Sequence, residues 1–436
     1  MVKITMLKPR LGITLTEPPL IRSWLLCDNA KLFMELKKEF EIFIFCKEDQ
    51  SHFIQGSLEK FLPKSDPVQV KIIGRLKESK ILSLIGFILR YSEKSQGNKR
   101  LRYLLFERGK ISIYGLLGRN LVWLLFSQWR LGYTILRFLY KSLPSGKYRI
   151  LLKEIKLDKL LVTSLTNFDY DVELLREAKK LGITTIGTPR SWDNLVSHGL
   201  LRVLPDLFLS HSQYMSECAY QYQDIERNSI IETGTSTYRT FLIPNSKKSK
   251  NEKVVAIGCV GPNSNPSEAD FIEKFIRIAS NNFPNLKFRI IQHPKFRHSK
   301  SFKHGNTEEI FFDFLKIDSL HEYYNSLQQC DLLLTGGSTI GLDALFVGTP
   351  VECFFIDLVE TGYWESSMRY LTHRTHYKDF INILNIKTHL TIESILISLE
   401  SISIGNALEV RKPDLFTGHP NFDFNLEIIK SLRVKL

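Results

Sequence analysis

The chain has six cysteines, at positions 27, 46, 218, 259, 330 and 353, and no two are spaced as a CxxC pair. Neither a disulfide framework nor a cysteine zinc site is implied, and a reducing cytoplasm fits. No run of about 18 apolar residues is free of charge, so no spanning helix is expected. Met1–Leu7 reads as a strand and not a leader, because Lys8, Pro9 and Arg10 interrupt the apolar run too soon. Solenoid repeats and low-complexity tracts are missing too. The one Asp-x-Asp triplet, Asp169-Tyr170-Asp171, falls where a helix opens, and capping of that helix accounts for both carboxylates. Nothing therefore calls for a metal ion or a resident cofactor. Acid is scarce over residues 99–149, where eleven Lys/Arg face only Glu107, and most of the net charge of +13 comes from there.

At 436 residues the chain exceeds one core, and 43% apolar with 24% charged residues is the balance of a folded α/β protein. Apolar runs predict strands at Lys3–Leu7, Glu41–Cys46, Gln69–Ile73, Lys159–Leu165, Ile183–Thr188, Asp206–Ser210 and Ser229–Thr233. Helical patterns lie between them, at Trp24–Phe40 and Val172–Leu181 for example. Pro244–Asn251 is a polar break, after which strands Val254–Val260, Lys287–Gln292, Asp331–Thr335 and Val351–Ile356 alternate with helices. The expected fold is α/β, two Rossmann-like domains facing across a cleft, over residues 1–245 and 246–436, with a helical basic insertion in the first.

The most informative stretch runs from Asp331 through Gly336-Gly337-Ser338-Thr339 to Asp343. A buried strand ends there, two glycines turn the backbone, and a helix begins whose free N–H groups suit a phosphate. Asp343 is either an exposed helix carboxylate or an acceptor for ribose hydroxyls. Two further loops end at the same edge of the second sheet: Gly261–Asn265, with Gly261 and Asn263, and His293–Arg297, with His293, Lys295 and Arg297. Three converging loops bearing glycine turns and cations predict a nucleotide-sugar site. For the general base the sequence offers Asp193 and, in the loop after the first strand, Glu17; each is also readable as an ordinary turn or loop carboxylate.

In the basic segment, Arg119, Arg130, Arg137 and Lys141 fall within a sector of about 40° if one helix carries them all. Leucines and aromatics, Trp123 and Trp129 among them, fill the rest. A basic stripe on an apolar helix predicts contact with an anionic membrane surface; the alternative is a core helix with a wet basic edge. Nucleic acid is not expected as a partner.

The tandem α/β pattern, His293-Pro294 and the Gly336–Thr339 turn resemble the nucleotide-sugar half of the GT-B glycosyltransferase superfamily. The His-Pro and Ser-Thr pairs are similar to those of bacterial transferases that use CMP-activated sialic acid or Kdo. Thr188–Gly199, with Ser191-Trp192-Asp193-Asn194, resembles a motif of surface-carbohydrate (capsule, O-antigen) glycosyltransferases and relatives of CDP-glycerol glycerophosphotransferases. The resemblance covers most of residues 155–360. It implies an enzyme, a glycosyltransferase moving a sugar from a nucleotide sugar to a lipid-linked or polysaccharide acceptor, inverting and without metal, peripheral on the inner face of the plasma membrane. A CDP-polyol phosphotransferase, a UDP-GlcNAc 2-epimerase-like enzyme and a non-catalytic scaffold are the other readings.

Overall fold

The computed structural model describes all residues outside 1–7, 63–67, 75–78, 96, 99–101, 104–105, 107–108, 145–146, 167–168, 237–251, 263–266, 294–297, 303, 314–315, 338, 357–373, 419–422 and 435–436. The expected strand Lys3–Leu7, the break Pro244–Asn251 and the site candidates Asn263, Lys295, Arg297 and Ser338 lie outside the described residues. The chain divides into two compact units: residues 1–98, 114–239 and 418–436, and residues 99–113 with 240–417.

The first unit is built on a parallel sheet of β1 (Arg10–Thr14), β2 (Glu41–Cys46), β3 (Gln69–Ile72), β4 (Lys159–Val162), β5 (Thr184–Gly187), β6 (Leu207–Ser210) and β7 (Ile230–Glu232). The order is β3-β2-β1-β4-β5-β6-β7. Ile13 sits beside Ile44 on one side and Leu161 on the other. The inner strands are buried on both faces, which is why they read as unbroken apolar runs. The first described strand is Arg10–Thr14, which begins on the last residue of the Lys-Pro-Arg sequence. Leu11, Ile13 and Leu15 are fully buried, and a side chain at Gly12 would come 2.7 Å from Leu157 and from Phe45.

Its helices are α1 (Pro18–Ile21), α2 (Lys31–Glu39), α3 (Glu48–Phe61), α4 (Lys80–Ser92), α5 (Ile113–Phe126), α6 (Arg130–Ser142), α7 (Lys147–Ile155), α8 (Asp169–Lys180) and α9 (Gln213–Gln223). The expected helix Trp24–Phe40 is interrupted: a π-helical turn, Arg22–Leu26, follows α1. Asn29 and Ala30 then take left-handed backbone angles before α2 begins. The helix read through residues 116–141 is also two helices. Trp129 breaks the run with φ −95° and ψ 78°, and its indole folds back onto Gly132, where a Cβ would collide with it. The last helix, Phe424–Arg433, belongs to the first unit and not to the second as the expected boundary at 246–436 had it. Phe424, Ile428, Ile429 and Leu432 are buried in the first core, with Trp24 edge-on to Phe424 at 5.3 Å.

The second unit repeats the design with β8 (Lys253–Gly258), β9 (Leu286–Ile291), β10 (Thr307–Ile310), β11 (Leu332–Thr335), β12 (Val351–Phe354) and β13 (Thr388–His389). The order is β10-β9-β8-β11-β12-β13, all parallel. Among its helices α10 (Glu268–Asn282), α11 (Ile317–Gln328) and α12 (Thr339–Phe346) border the loops of interest. Two successive parallel α/β units are what the alternating sequence pattern predicts.

Candidate functional site

In an open parallel sheet, ligands bind beyond the carboxyl ends of the strands where the winding reverses. In the second unit that place lies between β8 and β11, since β9 and β10 run off one way and β12 and β13 the other. The loops after β8 and β11 therefore open there, and His293, half-buried, follows the end of the adjacent β9. Gly258 ends β8 so close to α12 that a Cβ would come 2.9 Å from Ile340. The Thr335 hydroxyl donates to the Gly258 carbonyl (3.1 Å) and ties the two strand ends together. Gly337 takes φ +78°, with the Tyr377 ring 2.6 Å from where its Cβ would stand. Glycine is required there on both counts. Gly336 and Gly337 are buried, Thr339 is exposed, and α12 starts at Thr339, so the positive end of its dipole lies at this edge.

Asp343 is neither exposed nor at the helix start. Four residues into α12 it is buried, and it accepts from the hydroxyls of Tyr323 (2.8 Å) and Tyr324 (3.4 Å). Its position on the α11 face of the helix, not the solvent face, explains both.

An acid in the first turn of α10 organises the other two loops. Glu268 is fully buried. Its carboxylate accepts from the backbone N–H of Val260 (2.9 Å) and Gly261 (2.8 Å), and His298 Nε2 lies 2.8 Å away. Gly261, at φ +81°, is thus held from beneath, and the loops after β8 and β9 share one anchor. Cys259 lies close enough to make a Cys-Glu-His donor set. Burial raises its thiol well above the usual range, and the carboxylate oxygens already serve as hydrogen-bond acceptors. The arrangement is a loop anchor.

In the first unit the winding reverses between β1 and β4. The Thr163 N–H donates to Thr14 Oγ1 (3.0 Å), and the Thr16 hydroxyl donates to Asp171 Oδ2 (2.5 Å). Asp171 is wholly buried, and its other oxygen has no hydrogen-bond partner among the described residues. Burial pushes its carboxyl up to about 7, overriding the hydrogen bonds from Thr14 and Thr16 that favour the charge. A carboxyl titrating near neutrality at a switch point is the kind of group functional sites collect. Capping of α8 was the role expected of it, and the Asp-Tyr-Asp triplet at the start of α8 was the available signal. Beside it, Glu17 is ion-paired with Lys47, and the Lys47 ammonium lies 5.2 Å from the centre of the Tyr170 ring.

Farther along the same edge, Asn194 is the fixed point of the Trp-Asp-Asn segment. Its Oδ1 accepts from the Thr166 hydroxyl (3.1 Å) and the Ser191 N–H (3.2 Å). Asp193 is half-buried and accepts from the Ser197 hydroxyl (3.1 Å). His211, 3.2 Å from Thr188 Oγ1, is pushed down to about 4 by burial and is neutral at pH 7. Glu17 and Asp193 thus both lie at the carboxyl edge of the first sheet, in different loops.

The basic segment is turned the other way from its expected orientation. Arg119 is buried, donates to the Gly115 carbonyl (2.9 Å), and sits over the rings of Tyr91 (5.0 Å) and Phe87 (5.5 Å). Arg137 is buried, donates to the Leu201 carbonyl (2.8 Å) and lies 3.9 Å from Asp224. Burial lowers it to about 10, so it stays charged at pH 7. Arg130 is exposed beside Asp224 at 3.4 Å, Lys141 and Trp123 are half-exposed, and Trp129 is exposed. The four cations do not form one outward stripe, because the guanidinium groups of Arg119 and Arg137 find partners inside.

No family model matches the sequence, and no curated protein matches it. Solved structures do. A protein of Listeria monocytogenes described as a UDP-N-acetylglucosamine 2-epimerase is 11% identical, with a TM-score of 0.54 over 98% of this chain and 96% of that one. MnaA of S. aureus in a structure with UDP is 12% identical, with a TM-score of 0.52 over 98% and 96%. The UDP-GlcNAc 2-epimerase of Methanocaldococcus jannaschii, in complex with UDP-GlcNAc and UDP, is 13% identical, with a TM-score of 0.51 over 97% and 99%. At such identity the likeness is one of fold, and along nearly its whole length this chain has the two-unit parallel α/β fold of the GT-B type.

Proposed function

We propose that the chain is a nucleotide-sugar enzyme, a glycosyltransferase that passes the sugar to a lipid-linked or surface-glycan acceptor. The observation that carries the donor half is the β8/β11 switch point, where Gly258, Gly336 and Gly337 bring backbone against the open N-terminus of α12. Diphosphate charge is held there by backbone N–H groups and His293. Glu17 and Asp193 are the candidates to take the acceptor's proton, and the resemblance around Trp192-Asp193-Asn194 favours transfer. No metal is needed when helix ends and cations offset the leaving charge, so EDTA should leave turnover unchanged.

A second reading, epimerisation of a UDP-sugar, is favoured by the fold likeness to two epimerase structures. One experiment addresses both. A thermal-shift screen against UDP, GDP, CMP and CDP identifies the nucleotide, with about 2.7 kcal/mol of added stability at 100 times the dissociation constant. The matching nucleotide sugar is then incubated alone and followed by NMR. Inversion at a sugar carbon without acceptor establishes the epimerase and ends the transfer reading; an intact donor that turns over only with acceptor establishes transfer. Binding of none of the four nucleotides removes both.

A further inference from the structure

The surface of α5 and α6 asks for a partner. On α5, Ile113, Tyr114, Leu117, Leu121, Leu124 and Leu125 are 48–81% exposed, and they share a sector of about 120°. On α6, Leu131, Ile135, Phe138 and Leu139 are 42–64% exposed over about 100°. The two helices are consecutive, joined by Ser127-Gln128-Trp129. Monomeric proteins rarely leave apolar faces of this extent in water.

The other side of each helix is firmly packed. Arg119 lies against Phe87 and Tyr91 of α4. Tyr140 of α6 is fully buried, and its backbone carbonyl accepts from Arg176 (3.4 Å). Arg176 is itself ion-paired to Glu173 at 2.6 Å inside the first unit. The exposed leucines are therefore the outer face of an ordered structure and not a core turned inside out.

Charge identifies the occupant. Between Lys94 and Lys153 the sequence holds one acid, Glu107. Arg130, Arg149 and Lys153 are exposed in the same stretch as the apolar faces. A second copy docking through this face would bring like charges together, whereas an anionic headgroup layer would neutralise them. Among the described residues no helix is long and apolar enough to cross a membrane, and Tyr114 and Trp129 combine an apolar ring with a polar tip, as side chains at the lipid–water boundary do. We infer that α5 and α6 seat the protein on an anionic lipid surface, their leucines and aromatics entering the headgroup layer and the exposed cations resting on it. The apolar face supplies the contact, not a stripe of arginines. This inference involves none of the loops around α12 and stands whichever nucleotide the second unit binds.

The test is co-sedimentation of the full chain with vesicles of phosphatidylcholine, with and without phosphatidylglycerol. The parent should pellet with the anionic vesicles and at least tenfold more weakly with the neutral ones. Replacing five exposed residues, Leu117→Ser, Leu121→Ser, Leu124→Ser, Leu131→Ser and Phe138→Ser, should lower partitioning about 100-fold or more while leaving nucleotide binding and melting unchanged. Arg130→Gln with Arg149→Gln and Lys153→Gln should weaken binding about tenfold or more at low salt and remove most of its salt dependence. As a measurement that needs no variant, brominated phosphatidylcholine mixed into the anionic vesicles should quench the parent's tryptophan fluorescence. Parent that stays in the supernatant, serine-substituted protein that binds like parent, or unquenched tryptophan each overturns the inference. So does light scattering that finds a parental dimer and a serine-substituted monomer, since a second copy would then cover the face.

Discussion

Asp171→Asn should change how stability depends on pH, in a direction fixed by burial. In the unfolded chain this carboxyl titrates near the usual 3.8; in the folded protein it is pushed up to about 7. Between those values the folded state keeps a proton that the unfolded state releases. Its contribution is therefore complete below about pH 4 and is lost as pH rises through about 7. A rise of that size corresponds to about 4 kcal/mol. Asparagine keeps the shape and an oxygen to accept from the Thr16 hydroxyl, but has no charge to bury. Any cost of seating its amide is the same at every pH and cancels when two pH values are compared. Urea unfolding of parent and variant at pH 5 and pH 8 makes the comparison. The variant should gain on the parent by roughly 3 kcal/mol between the two. A stability difference that is the same at both pH values would show that Asp171 is already ionised in the folded protein, and the burial argument would fail.

His293→Ala should weaken nucleotide binding by about 1.5–3 kcal/mol, as for a hydrogen bond to a charged group, with little change in melting; unchanged affinity by calorimetry would take His293 out of the site. Glu17→Gln or Asp193→Asn should lower turnover about 10²-fold or more while nucleotide affinity persists, and normal turnover in both would place the base elsewhere. Gly337→Ala, at φ +78° and against the Tyr377 ring, should cost about 1–3 kcal/mol in stability; a variant as stable as the parent would show that the turn relaxes freely.

Strands were legible wherever both faces are covered. Glu41–Cys46 was read to the residue, because Ile42 to Cys46 are all buried and the run is unbroken. β10, Thr-Glu-Glu-Ile at the sheet edge, escaped notice because half-exposed polar positions leave no apolar signal, and β13 has only two residues. Helical phase was legible locally but not the burial of single cations: one period extended through residues 116–141 put Arg119, Arg130, Arg137 and Lys141 on one stripe, whereas Arg119 and Arg137 are buried. The cause is tertiary. Arg119 and Arg137 find Tyr91, Phe87, Leu201 and Asp224 far away in sequence, and no local pattern announces such partners. The glycine turn before α12 was legible as a sharp strand–helix turn because glycine at such a junction is a local constraint. The environment of Asp171 was not, since a carboxyl's burial depends on what the rest of the sheet places over it.

The return of Phe424–Arg433 to the first unit has a consequence for the order of assembly. Phe424, Ile428, Ile429 and Leu432 lie in a core whose other members come from residues 11–209. Trp24 has Phe424 at its edge, Lys159 donates to the Leu432 carbonyl (2.5 Å), and Asn425 donates to Asp28 (2.9 Å). Domains generally fold as units, N-terminal first, as a chain leaves the ribosome. Here the leading unit waits with part of its core open until the trailing one has been synthesised, and the last helix closes it from behind.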